Sequence, residues 1–180
     1  MHKILCALLI SLATLGSAGA ADFDVDLVQS AQDQSLWSAN FGNTINDPGN
    51  AWFSDTFTFT PELAGALSVD GTVVNFYTKM SQSIFFDSVL LNGIKMIKST
   101  VDGAGTTYHL ATLPSTHFSG PLTLTVSGFA GGEADAFSAS YSGTLNVSTV
   151  APVPEPETYA MMLAGLGAVG MLARRRRHQA

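Results

Sequence analysis

The chain is 180 residues long, 46% hydrophobic and only 12% charged, which suits one folded domain once its two unusual ends are set aside. From Ala21 to Val150, twelve acidic residues face only Lys79, Lys95 and Lys98, a net charge of about −9, and this excludes a nucleic-acid partner because phosphate binding needs clustered cations. The one cysteine, Cys6, lies near the start, so the rest of the chain has no disulfide, thiolate metal site or cysteine nucleophile and must be held by its core or by bound ions.

Residues 1–20 have the three parts of a secretory signal peptide. His2 and Lys3 make a positive start, and residues 4–15 are nearly all apolar. Ala18, Gly19 and Ala20 then place small side chains at the −3 and −1 positions of a cut between Ala20 and Ala21. The apolar run is shorter than the roughly 20 residues a membrane span needs. Cys6 stands near the start of that run rather than after it, which rules out a lipoprotein cysteine. The segment addresses the chain to the Sec export machinery.

Residues 21–150 are rich in Thr, Ser, Val, Phe and Gly, with turn residues every 8–12 positions. That spacing predicts an all-β fold, a single antiparallel β-sandwich of jelly-roll-like type with about seven or eight strands. No sustained helical periodicity interrupts it, and no internal repeat is visible. Asp22, Asp24 and Asp26 alternate along one face of a first strand, which reads as a solvated face. Calcium favours such oxygens, but Leu27 and Val28 follow where a calcium loop would need more ligands. The next strand, Ala51–Thr60, puts Phe53, Asp55, Phe57 and Phe59 on one side and Trp52, Ser54, Thr56 and Thr58 on the other. Asp55 therefore lies between two burying aromatics and needs partners, either backbone amides at a strand end or a cation. Residues 67–77 form a strand with a turn or bulge at Asp70-Gly71. Asn92-Gly93, between Ile84–Leu91 and residues 94–97, is the strongest hairpin signal, because a type I′ turn needs positive φ at both central positions. Residues 108–113, 122–128 and 137–150 complete the strands.

No catalytic constellation stands out in this domain. Its two histidines, His109 and His117, flank Pro114 without zinc spacing and read as surface or strand-end residues. No nucleophile elbow, phosphate loop or dinucleotide fingerprint occurs. The carboxylates have no spacing signature for glycoside hydrolysis. No enzyme activity and no cofactor is expected, calcium at the acidic stretches (Asp22 to Asp26, or residues 128–135) being the alternative. Trp37, Trp52, Tyr77 and Tyr108 either fill the core or stack on sugars, and exposure decides between the two. Asn146-Val147-Ser148 reads as an accidental glycosylation sequon.

Residues 151–157 form a Pro-rich linker in which Pro152, Pro154 and Pro156 keep the chain extended and open to a protease. Thr158 can cap a helix over residues 158–173, which is apolar from Tyr159 onward. This is a short transmembrane helix that flanking arginines can extend by snorkelling. Ala160, Ala164 and Ala168 give it one small-residue face. The basic tail, residues 174–180, carries Arg174, Arg175, Arg176 and Arg177, which the positive-inside rule keeps in the cytoplasm. Both ends thus predict one topology, with the β domain outside.

Pro154-Glu155-Pro156, an apolar helix, an arginine cluster and the chain end, in that order, resemble the PEP-CTERM sorting signal of Gram-negative bacteria. The resemblance implies handling by exosortase, a membrane protease-transpeptidase, with cleavage near Pro154 to Pro156. It further implies a transient inner-membrane anchor, then release or transfer to the cell surface or an exopolysaccharide-rich matrix. Phe53, Asp55 and Phe57, the residues around Asn92-Gly93 and the approach to the Pro-Glu-Pro are similar to the FxDxF family of PEP-CTERM proteins, which implies no biochemical activity. The reading is an exported, non-catalytic surface protein of a biofilm or exopolysaccharide. A jelly-roll carbohydrate-binding module and a matrix polysaccharide hydrolase are the alternatives.

Overall fold

The computed structural model describes residues 19–47, 51–131, 137–150 and 160–169. It comprises two units, Met1–Thr149 and Val150–Ala180. Among the described residues the first holds eleven strands: β1 (Gly19–Asp26), β2 (Val28–Gln29), β3 (Leu36–Asp47), β4 (Ala51–Thr60), β5 (Ala66–Tyr77), β6 (Ile84–Leu91), β7 (Ile94–Lys95), β8 (Ile97–Asp102), β9 (Thr107–Ser119), β10 (Leu122–Ala130) and β11 (Phe137–Thr149). They form a five-stranded sheet ordered β1-β4-β10-β6-β7 and a six-stranded sheet ordered β2-β3-β11-β5-β9-β8. The two sheets face each other across one apolar core, giving a β-sandwich.

Alternation along each strand drives this packing. In β5 and β10 every second residue is buried and the residues between are half-exposed. Phe57, Phe59, Leu67, Ile84, Leu91 and Leu124 are all at most 2% exposed. Burial of each such side chain contributes about 1.5–3 kcal/mol, and the core does the work that disulfides do in many exported domains.

The structure departs from the sequence reading in several places. One pair, β1 with β4, is parallel, against the expected all-antiparallel arrangement. The chain visits the other sheet through β2 and β3 before returning as β4, and that crossover lets the two strands run the same way. The strands exceed the expected seven or eight because β2 and β3 precede Ala51 and the hairpin arm splits at Met96 into β7 and β8. Asp70 sits at a register shift between β5 and β9, a bulge rather than a turn. At the hairpin, Asn92 (φ 46°) and Gly93 (φ 81°) both adopt positive φ, as a type I′ turn requires. Asn92 also donates through Nδ2 to the Pro121 carbonyl (2.8 Å) and accepts the Thr123 amide (2.7 Å), fastening the hairpin to β10.

In the second unit, residues 160–169 are helical. Among the described residues no helix is long and apolar enough to cross a membrane, so the span expected over 158–173 is described only in its middle. The linker expected at 151–157 with Pro154, Glu155 and Pro156, the ends of the expected span, and the tail with Arg174 to Arg177 lie outside the described residues, as do residues 1–18 of the expected leader and residues 132–135 of the acidic stretch read over 128–135, whose first residues, 128–130, instead end β10. Gly19 and Ala20, read as the end of the leader, are the first residues of β1.

Candidate functional site

Asp55 stands at the centre of a polar cluster that joins the two sheets. It lies on β4, 1% exposed, between Phe53 and Phe57 on the inward face. Its Oδ2 accepts a hydrogen bond from the Tyr141 hydroxyl on β11 (2.5 Å) and another from Asn43 Nδ2 on β3 (2.9 Å). Both donors belong to the opposite sheet, and neither is a backbone amide or a cation. The Asn43 Oδ1 in turn accepts the Thr44 amide (2.7 Å). Burial, then the hydrogen bond to Asp55 and its charge, raises the Tyr141 phenol far above its ordinary value of 10.0 and holds it as a donor. A hydrogen bond to an ionised acceptor is about twice as strong as a neutral one. The aromatics complete the unit: Phe53 stacks on the Tyr141 ring at 5.7 Å, and Phe57 meets it edge-on at 6.2 Å. All three F-x-D-x-F positions therefore engage Tyr141.

Asp55 also lines a groove of about 300 Å³ with Ala20, Ala21, Asn43 and Trp52. The register pairs Ala21 with Asp55 and Ala20 with Ser54, so the expected leader cut falls inside β1, beside the F-x-D-x-F strand.

A second polar cluster lies between β5, β6 and β9. Asn75, 1% exposed, donates to the Ser140 and Gln82 carbonyls (2.8 and 3.0 Å) and accepts the Ile84 amide (2.9 Å). His109 is 7% exposed rather than a surface histidine, because it shares the inward side of β9 with Ala111 and Leu113. Its Nδ1 lies 2.6 Å from the Ile84 carbonyl, to which it donates, and its ring packs against Phe85 (4.6 Å) and Tyr77 (5.2 Å). Lys98, from β8, donates through Nζ to the Phe86 and Asp87 carbonyls (3.0 and 2.5 Å). His109 and Lys98 thus cap the stretch of β6 that β7 leaves unpaired.

The other singled-out residues are dispersed. Asp22, Asp24 and Asp26 point outward along β1, and among the described residues no group of three or more acidic, histidine or cysteine side chains could hold a metal. His117 is exposed on β9, away from the inward row that holds His109. Of the four candidate sugar-stacking aromatics, Trp52 (56%) and Tyr108 (39%) are exposed, while Trp37 and Tyr77 are half-buried. Trp52 lies 5.3 Å from Phe129, beside the hydrogen-bonded Ser54 and Ser127 hydroxyls. Asn146, the sequon residue, donates to Asp70 (3.0 Å). Sequence reasoning missed Tyr141, Asn43, Asn75 and Lys98. For Tyr141 the signal was available, since it shares the inward side of β11 with Leu145 and Val147.

Chemically, the Asp55 cluster spends its donors and acceptors on one another across the core, which makes it a tether between sheets. Comparison with known proteins adds one specific match: residues 152–177 fit the family model of the PEP-CTERM protein-sorting motif, so the chain carries that signal. No curated protein matches the chain. Among solved structures it is similar to a mutant of the Escherichia coli PliG, a periplasmic lysozyme inhibitor of g-type lysozyme, at 16% identity and a TM-score of 0.27, covering 73% of this chain and 100% of that one. The Aeromonas hydrophila PliG aligns at 16% identity and a TM-score of 0.25, covering 72% and 98%. A catalytic domain of a GH87 alpha-1,3-glucanase aligns at 13% identity and a TM-score of 0.19, covering 67% and 23%. At these scores the structural likenesses carry no argument.

Proposed function

We propose that this chain is an exported surface protein whose β-sandwich is the cargo of an exosortase-handled sorting signal and performs no catalysis of its own. The observation that carries the reading is the PEP-CTERM motif at residues 152–177, which begins just beyond the compact unit ending at Thr149. The motif implies export and membrane-anchored sorting in a Gram-negative bacterium, with exosortase as the processing partner. The leader at residues 1–20 and the Sec machinery supply the export step, and the apolar segment 158–173 with Arg174 to Arg177 supplies a transient anchor. The mature domain then resides at the cell surface or in an exopolysaccharide matrix, where a net charge of about −9 keeps it soluble. The FxDxF likeness fits a structural role, since Phe53, Asp55 and Phe57 act as one cross-sheet unit around Tyr141.

A carbohydrate-binding role is the second reading, favoured by the exposed Trp52 beside Phe129 and the Ser54 and Ser127 hydroxyls. The leading reading is tested by fractionating cells with and without active exosortase. Mature protein lacking the tail should appear in the outer fraction only when exosortase is active. Titration with the native exopolysaccharide tests the second: binding that Trp52→Ala abolishes supports it, and no binding by the wild-type chain removes it.

A further inference from the structure

The sandwich treats its sheet edges unequally. On one side β1, the outer strand of its sheet, carries Asp22, Asp24 and Asp26 outward, a charge pattern that discourages edge-to-edge pairing. On the opposite side the unpaired carbonyls of β6 are capped by His109 and Lys98. At β8, one of the two edges of the other sheet, the outward side carries no charge. It is the last strand of its sheet, and all six of its residues are exposed.

Register with β9 fixes which way its side chains face. Ile97, Ser99 and Val101 share the outer face with Thr112, Leu110 and Tyr108. Lys98 turns the other way to reach β6, and Asp102 accepts a hydrogen bond from Thr107 (3.0 Å), so both charges of β8 are engaged within the chain. The outward residues are uncharged, and two are strongly exposed, Ile97 at 62% and Val101 at 53%. The row continues inward from Val101 through Tyr108 (39%) to Phe76 (66%), whose rings lie 6.4 Å apart. A contiguous apolar strip beside a strand edge with no outward charge marks an interaction surface.

We infer that β8 pairs with β8 of a second copy of this chain, joining the two six-stranded sheets into one. The strand is self-complementary in an antiparallel register centred on Ser99. That register sets Ile97 opposite Val101 of the second copy and Val101 opposite its Ile97, two apolar cross-strand pairs. It places the two Ser99 residues together on the two-fold axis and closes the assembly as an isologous dimer. Charge also fits a second copy. The domain is strongly acidic as a whole, but this side holds Lys95 and Lys98 beside Asp87 and Asp102, near balance, and the β1 acids lie at the far edge.

Cross-linking tests the register directly, because the only native cysteine is Cys6. In a Cys6→Ala background, Ser99→Cys should give a disulfide-linked dimer on a non-reducing gel, and Asp24→Cys on β1 should not. Sedimentation of the purified chain should show a dimer that Val101→Lys converts to monomer while its circular dichroism stays that of the folded chain. Wild-type chain that stays monomeric at its highest soluble concentration overturns the inference. A dimer that Ser99→Cys fails to cross-link, or that Asp24→Cys links equally well, overturns the assigned edge. Monomeric protein that binds neutral oligosaccharide and loses it with Phe76→Ala also overturns it and gives the face to sugars.

Discussion

Asp55 shows how much one buried carboxylate can decide. Its alternation with Phe53 and Phe57 was legible in the sequence, and so was its need for partners. The partners themselves were not, because Tyr141 and Asn43 are 86 and 12 residues away and strand order is not written in either segment. His109, read from sequence as a surface or strand-end residue, is buried instead, and its alternation with Ala111 and Leu113 was the signal passed over. The tether predicts specific losses. Asp55→Ala strands the buried Tyr141 hydroxyl, at about 1–3 kcal/mol, and the half-buried Asn43 amide, at less, so urea unfolding should show a loss of about 2–4 kcal/mol, with Asp55→Asn costing less. Tyr141 sets a pH dependence as well. Its folded pKa is raised, so the folded state keeps a proton that the unfolded phenol releases near its ordinary value of 10.0. The stabilisation is complete below pH 10 and falls above it, by at most about 1.4 kcal/mol per pH unit. Denaturation midpoints measured from pH 9 to 11 should show this decline, and Tyr141→Phe should flatten it.

At the scale of strands, the sequence was read best where alternation is dense. Ala51–Thr60 and Ile84–Leu91 have the boundaries read from sequence, and Asn92-Gly93 makes the expected turn. β3 escaped notice because Asn40, Gly42, Asn43 and Asn46 dilute it with residues that strands disfavour, although Trp37, Ala39, Phe41 and Ile45 keep the inward alternation. Gly42 and Gly143 in this part of the sheet have packing roles. A Cβ on Gly143 would overlap the Phe41 ring and sit 2.7 Å from the Thr72 carbonyl oxygen. Gly143→Ala should therefore destabilise by about 1–3 kcal/mol through overpacking, measured by denaturant unfolding. Gly93→Ala should cost about 1 kcal/mol or more for a different reason, because φ of 81° is strained for any residue with a side chain.

At the scale of the whole molecule, the chain combines a β-sandwich unit ending at Thr149 with a separate C-terminal unit that carries the sorting motif. Ending the chain after Val150 should leave the unfolding midpoint of the sandwich unchanged within error, since the two units have their own internal contacts. The address was legible because a short ordered motif is written locally. The cargo's architecture was only half legible, because parallel pairing and edge treatment arise from contacts between distant segments. In the proposed reading the sandwich is an acidic, disulfide-free body and the motif at residues 152–177 is its address. Mass spectrometry of the mature C-terminus tests this account most directly. Protein recovered from the outer fraction of cells with active exosortase should end near Pro154 to Pro156, without the apolar segment and Arg174 to Arg177. An intact C-terminus ending at Ala180 in those cells would contradict it.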